Sequence, residues 1–196
     1  MEKNKAHPFL KKLMFDLKEA ELESGHNDLM IVEGDVLKTM LDGFGRAFGP
    51  SASFILFESG KYSGASFVSK LIEAGIKTDE VIFWFREFFT DFGWGKVCSI
   101  DERKKGEIII KVENCVEARQ TKSTKPVCNF ILGFISGVYE TLLQEIMECT
   151  EVLCLAKGDP YCEFRVTKLL KSKDKKIASV EFTKKNYLQN LVTKIQ

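Results

Sequence analysis

One stretch constrains the fold of this chain more than any other. It is Glu151-Val-Leu-Cys154-Leu-Ala-Lys-Gly158-Asp159-Pro160-Tyr-Cys162-Glu-Phe164, with Cys128 upstream of it. Three thiols and a carboxylate crowd a short region. Gly158-Asp159-Pro160 reads as a tight turn between two apolar runs. That turn predicts a hairpin that brings Cys154 and Cys162 together. Two close thiols imply either a disulfide or a metal site, and a reducing compartment favours the metal. Such a compartment is expected here. The N-terminal residues Met1 to Pro8 lack the apolar core of a signal peptide, and no apolar run reaches membrane-spanning length. The expected location is cytoplasmic, with the cysteines reduced.

At 196 residues, 44% of them hydrophobic and 29% charged, the chain is expected to form one domain over 1–196 and to bury a core without staples. A net charge of +1 gives no reason to expect direct contact with nucleic acid or with an anionic membrane. The 16 phenylalanines against 4 tyrosines demand a reason. Many fall together, from Phe83 through Trp94. They predict either a phenylalanine-rich core or rings that line an apolar ligand cavity.

Apolar spacing predicts a helix over Phe9 to Glu23, then a short extended run at Leu29 to Val32. A second helix starts at Gly34-Asp35, with Asp35 as its cap, and stops at Gly49-Pro50. A third runs from Ser53 to Ala74. Gly60 and Gly64 share one of its faces, so they either admit another backbone or break the helix near Lys61 to Ser63. Thr78 caps a fourth helix that carries the aromatic cluster through Phe92. After Gly93-Trp94-Gly95 the chain turns to strands, at Lys96 to Ile100 and Glu107 to Val112, with Asn114 to Ala118 continuing or pairing. Asp101 to Lys105 and Gln120 to Lys125 read as polar loops. A long helix then spans Val127 to Glu148, with Gly133 and Gly137 repeating the close-approach spacing. The hairpin follows, over Glu151 to Ala156 and Tyr161 to Lys168. Lys171 to Lys176 reads as a solvated loop, and the last twenty residues as an edge strand or a closing helix. The class is α+β: N-terminal helices packed on an antiparallel sheet, with one long inserted helix and a C-terminal hairpin.

Three motifs resemble the 4-vinyl reductase domain family. They are Ile55-Leu-Phe-Glu-Ser-Gly60-Lys-Tyr-Ser-Gly64, then Phe92-Gly-Trp94-Gly-Lys96, and the run from Cys128 through Gly133-Phe-Ile-Ser-Gly137 to Cys154, Gly158-Asp-Pro-Tyr-Cys162 and Phe164. The matched core is about 35–166. The resemblance implies a fold shared with haem nitric-oxide-binding domains and Bet3-type trafficking subunits. It also implies a homodimer, and a role as a small-molecule sensor domain. Many such sensors hold zinc with three cysteines and a glutamate, which here would be Cys128, Glu151, Cys154 and Cys162. The chain departs from the phenol sensors of the family. It shows no phosphate loop and no DNA-reading module, and its only histidines are His7 and His26, outside the matched core.

Zinc held by three thiolates and one carboxylate is a closed site with a structural role. One point of geometry stands against it. Residues three apart on a regular strand face opposite sides, so Glu151 and Cys154 converge only if the strand starts after Glu151 or bends there. Cys149 is the substitute ligand. Three buried core cysteines, or a disulfide between Cys154 and Cys162, are the alternatives. Cys98 and Cys115 read as buried core thiols, and Asp159 as a turn former. Phe85, Phe89, Trp94, Phe130 and Phe134 are the candidate ligand-binding rings.

The function expected is a stand-alone, zinc-stabilised domain that binds a hydrophobic or aromatic small molecule as a sensor. The alternatives are a protein associated with reduction of a tetrapyrrole vinyl group, and a non-catalytic dimeric adaptor. No dinucleotide loop and no nucleophile paired with a histidine is evident, so catalysis is not expected.

Overall fold

The computed structural model describes residues 13–16, 21–24, 27–28, 32–103 and 106–169. Strands β1 (Leu13–Asp16), β2 (Glu21–Ser24) and β3 (Asn27–Asp28) form a small antiparallel sheet of order β1-β2-β3. Leu13 lies opposite Ser24, and Glu23 opposite Asp28. This corrects the helix expected over Phe9 to Glu23. A short apolar run satisfies either period, and pairing between strands settled it.

Helices α1 (Gly34–Phe48) and α2 (Ser51–Glu73) follow as expected. Asp35 sits in the first turn of α1 rather than at its cap, which is Glu33. Thr78 opens a single 3-10 turn, and α3 (Val81–Asp91) grows from it. Strands β4 (Lys96–Arg103) and β5 (Glu107–Glu113) pair antiparallel, so β4 runs through part of the expected turn. Asn114 to Ala118 adds no strand. Asn114 takes a left-handed φ of 52°, which turns the chain out of the sheet after β5.

Helix α4 (Asn129–Leu143) ends earlier than apolar spacing predicts. Gln144 takes a left-handed conformation there, and β6 (Met147–Leu153) begins within the expected helix. Ile146, expected to face inward, is exposed. Strand β7 (Cys162–Lys168) completes a four-stranded antiparallel sheet of order β4-β5-β7-β6. The expected closing segment, 171–196, lies outside the described residues.

The glycines explain how the helices stack. A Cβ on Gly60 would collide with the Phe130 carbonyl, and one on Gly64 with that of Phe134. From the other side, a Cβ on Gly133 would collide with the Phe57 carbonyl, and one on Gly137 with that of Lys61. The two pairs interlock, so α2 runs unbroken and lies backbone to backbone on α4. Lys61 Nζ reinforces the crossing with an ion pair to Glu140 Oε2 at 2.9 Å. Helix α4 is buried from Gly133 through Tyr139. The core combines Val68, Phe85, Phe89, Ile131, Phe134 and Val138 from the helices with Ile108, Ile110, Val112, Phe164 and Val166 from the sheet. Among the described residues, no helix is long and apolar enough to cross a membrane.

Candidate metal centre

Each of the four expected ligand residues sits at the end of an element or at an irregularity in one. Cys128 is the residue before α4. Glu151 lies in β6, Cys154 directly after it, and Cys162 opens β7 opposite Val112 of β5. The objection about residues three apart is met by a bulge. Glu151 lies opposite Phe164, but Leu153 lies opposite Glu163. Val152 is therefore an extra residue, which shifts the phase of the strand and turns Glu151 and Cys154 to the same side.

The four ligand atoms all lie within 4.8 Å of one another, and all four residues are buried. Cys128 Sγ and Cys162 Sγ are 3.7 Å apart. Glu151 Oε2 accepts the Cys128 N–H at 3.0 Å. Its other oxygen, Oε1, is buried without a hydrogen-bond partner. Buried polar atoms are ordinarily satisfied, so an orphaned carboxylate oxygen beside three thiols points to a cation. Leu155 N–H approaches Cys162 Sγ at 3.4 Å, a donor aimed at a sulfur that carries charge. Cys154 is held from below, where its N–H donates to Asp159 Oδ2 at 2.8 Å. That bond, more than the nearby Lys157, keeps the Asp159 carboxyl below its ordinary value.

The cluster resists full ionisation by itself. Burial pushes Glu151 up to about 9. The Cys115 sulfur is the largest cause that pushes Cys162 up to about 11, and sulfur neighbours, Cys115 first, also raise Cys128. Cys154 goes the other way, down to about 6, chiefly through its contact with Cys128. Acids crowded in a poorly solvated space cannot all release protons unless a cation joins them. The arrangement can hold a metal ion. Cys149, the substitute ligand, lies half-buried outside this group.

Two further residues are placed differently from the sequence reading. Cys98 is exposed on β4, which corrects its assignment to the core. Cys115 is buried as expected, but its Sγ lies 3.5 Å from Cys128 Sγ. Sequence reasoning also passed over Glu117. This buried carboxylate accepts Phe130 N–H at 3.2 Å and Ile131 N–H at 2.8 Å, and so caps α4. Burial outweighs these two donors and pushes Glu117 up to about 8. No local signal marks it, because its partners lie thirteen and fourteen residues away.

The five candidate ring residues gather in one cluster. Phe85 and Phe89 of α3 lie 4.7 Å apart between centroids. Trp94 stands edge-on to Phe130 at 5.6 Å and to Phe134 at 5.2 Å, both on α4. Phe89 reaches Phe134 at 5.8 Å, and Phe67 and Phe88 join from α2 and α3. An open cleft of about 860 Å³ lies elsewhere, between loop 114–123 and the turn at 155–158.

These features define a class: an α+β domain whose four-stranded sheet and core helix close on a buried cluster of three thiols and a carboxylate. Residues 108–168 match the vinyl-4-reductase domain, so the resemblance drawn from the motifs stands and this chain carries a domain of that family there. A protein of Methanocaldococcus jannaschii described as uncharacterized is 35% identical over 81 residues, or 41% of this chain and 43% of that one. The chain thus spans less than half the length of that relative. In fold, the chain is similar to the phenol-responsive sensory domain of the transcription activator PoxR, solved with phenol. The TM-score is 0.69 at 19% identity, covering 85% of this chain and 89% of that one. It is also similar to a trafficking protein particle complex subunit 3 from Naegleria fowleri, covalently bound to palmitic acid, with TM-score 0.51, 16% identity and coverage of 70% and 95%. An H-NOX protein from S. oneidensis shares the fold at TM-score 0.51, 8% identity and coverage of 78% and 86%.

Proposed function

We propose that this chain is a zinc-stabilised domain that binds a hydrophobic or aromatic small molecule and passes the resulting change to a partner. The observation that carries the reading is the buried Cys128, Glu151, Cys154 and Cys162 cluster with its orphaned Glu151 Oε1. A zinc–sulfur bond of about 2.3 Å makes the edge of a tetrahedron about 3.8 Å long. The Cys128–Cys162 separation of 3.7 Å fits that edge. Bound there, zinc would supply a cross-link between the start of α4 and both strands of the hairpin, which adds to folding stability. Four protein ligands leave no position for a reacting water, so the role is structural.

The ligand reading rests on the ring cluster and on its connection to the metal centre. Phe130 follows Cys128 by two residues. The Trp94 carbonyl accepts the Val116 N–H at 2.8 Å, beside Cys115. A molecule that displaced Trp94 or Phe130 would pull on the chain at the cluster. The fold likeness to a phenol-responsive sensory domain supports an aromatic ligand. Homodimerisation belongs to the same reading, because Val36, Met40 and Phe48 of α1 and Phe54 of α2 present exposed apolar side chains. A non-catalytic dimeric adaptor is the second reading, and the same exposed side chains favour it.

The test is metal content of the purified chain beside Cys162→Ser, followed by titration with phenol while tryptophan emission is recorded. Near one zinc per chain, absent from the variant, supports the site. A folded, reduced and metal-free wild type rules out zinc. Unchanged emission with phenol and related aromatics turns the reading toward the adaptor.

A further inference from the structure

The fifth thiol beside the cluster has no role in the reading so far. Cys115 Sγ touches Cys128 Sγ at 3.5 Å, closer than the 3.7 Å between Cys128 and Cys162. Yet Cys115 is not one of the four groups that share a single centre. It stands behind Cys128, against one ligand rather than among them. The segment that bears it is held on both sides. Val116 N–H bonds to the Trp94 carbonyl, and Arg119 N–H at 2.9 Å to the carbonyl of Cys115 itself. Glu117 then grips the first turn of α4, directly after Cys128. The two sulfurs are therefore fixed against each other by short connections, though thirteen residues separate them. Forming a bond of about 2.05 Å requires an approach of only about 1.5 Å.

We propose that Cys115 and Cys128 form an oxidative modification site, in which a peroxide converts the pair to a disulfide and so removes one ligand from the metal. This rests on the zinc reading above. In the balanced step, the Cys128 thiolate attacks one peroxide oxygen and the O–O bond breaks. Hydroxide leaves, and Cys128 becomes a sulfenic acid. The Cys115 sulfur then attacks the sulfenic sulfur, an S–S bond forms, and the Cys115 proton leaves with the departing oxygen as water. Two sulfurs lose two electrons, and one peroxide becomes water and hydroxide. A disulfide sulfur is neutral, so the centre keeps Glu151, Cys154 and Cys162 but loses its third thiolate. The open cleft brings solvent alongside both chain segments concerned. Asn114 and Ala118, on either side of Cys115, form part of its wall, and Leu155 and Ala156, directly after Cys154, form another part.

The choice of Cys115 over another ligand has a physical reason. Cys154 and Cys162 would share their lone pairs with the metal, whereas Cys115 keeps its own free to attack.

The experiment exposes the zinc-loaded wild type to hydrogen peroxide. Metal release is followed with a chromogenic chelator, and disulfides are mapped by peptide mass spectrometry. Release is expected to accompany a Cys115–Cys128 disulfide. Cys115→Ala is expected to keep one zinc per chain and to release it roughly ten-fold more slowly, while the exposed-thiol control Cys98→Ala behaves as wild type. Release from Cys115→Ala at the wild-type rate overturns the proposal. So does a map in which Cys128 pairs with Cys154 or Cys162 while Cys115 stays a thiol. Should Cys115→Ala fail to fold, the wild-type map alone decides. If the wild type carries no zinc, the zinc reading fails separately, and the map of the oxidised metal-free chain still decides the pair.

Discussion

Glu117 shows how much a single buried carboxylate can govern. It caps α4 across a turn from another part of the chain, and so ties that helix to the segment after β5. In the open chain it titrates near 4.5, but in the fold at about 8, with burial as the main cause. Between those values the folded protein holds a proton that the unfolded chain has released. Its stabilising contribution is full below pH 4.5 and is lost as pH rises through about 8. Glu117→Gln removes that titration and keeps one acceptor. Urea midpoints of the two proteins should therefore shift in favour of the variant as pH rises from 4.5 to 8. A constant gap over that range would show that the two amide donors keep the carboxylate ionised. Cys128, Cys154 and Cys162 were legible as a group because their spacing brackets a turn. Glu117 and the position of Cys115 were not, because both depend on contacts between segments distant in sequence.

At the scale of elements, the crossing of α2 and α4 is the most exacting contact in the fold. Each of its four glycines faces a backbone carbonyl that leaves no space for a Cβ. Backbone cannot swing aside as a side chain does. Gly64→Ala should therefore cost more than about 3 kcal/mol, read from the urea midpoint, although alanine favours helices. A cost below about 1 kcal/mol would show that the helices can separate without loss. Glycine pairs four apart were visible in the sequence, and their meaning as a close approach holds. Which surface they approach was not visible, since either pair could have met the sheet or a second copy. The end of α4 and the start of β6 depart from the sequence reading for a related reason. Apolar residues at Ile146 and Met147 continue a helical period, but Met147 is buried in a strand paired with Lys168. Pairing with β7 outweighed local spacing there.

At the scale of the whole molecule, the proposed ion and the proposed dimer each make a prediction. Removing zinc with a chelator should lower the melting temperature by more than about 5 °C, and zinc alone should restore it. Unchanged melting would show that the thiols serve only as core residues. Sedimentation should report a dimer for the wild type. Met40→Glu combined with Phe48→Glu should shift it to monomer without loss of helicity, since both side chains are exposed on α1. A wild-type monomer would leave those residues as ordinary surface.

By itself, the sequence determined the α+β division, the hairpin and the thiol–carboxylate group. Each depends on local information: period, turn chemistry and spacing. Only the tertiary structure decided that Val152 bulges so that Glu151 meets Cys154, that two glycine pairs interlock, and that a fifth thiol rests on Cys128. These are meetings between segments far apart in the chain. A pattern within one segment constrains which face is apolar, but not which distant atom will be packed against it.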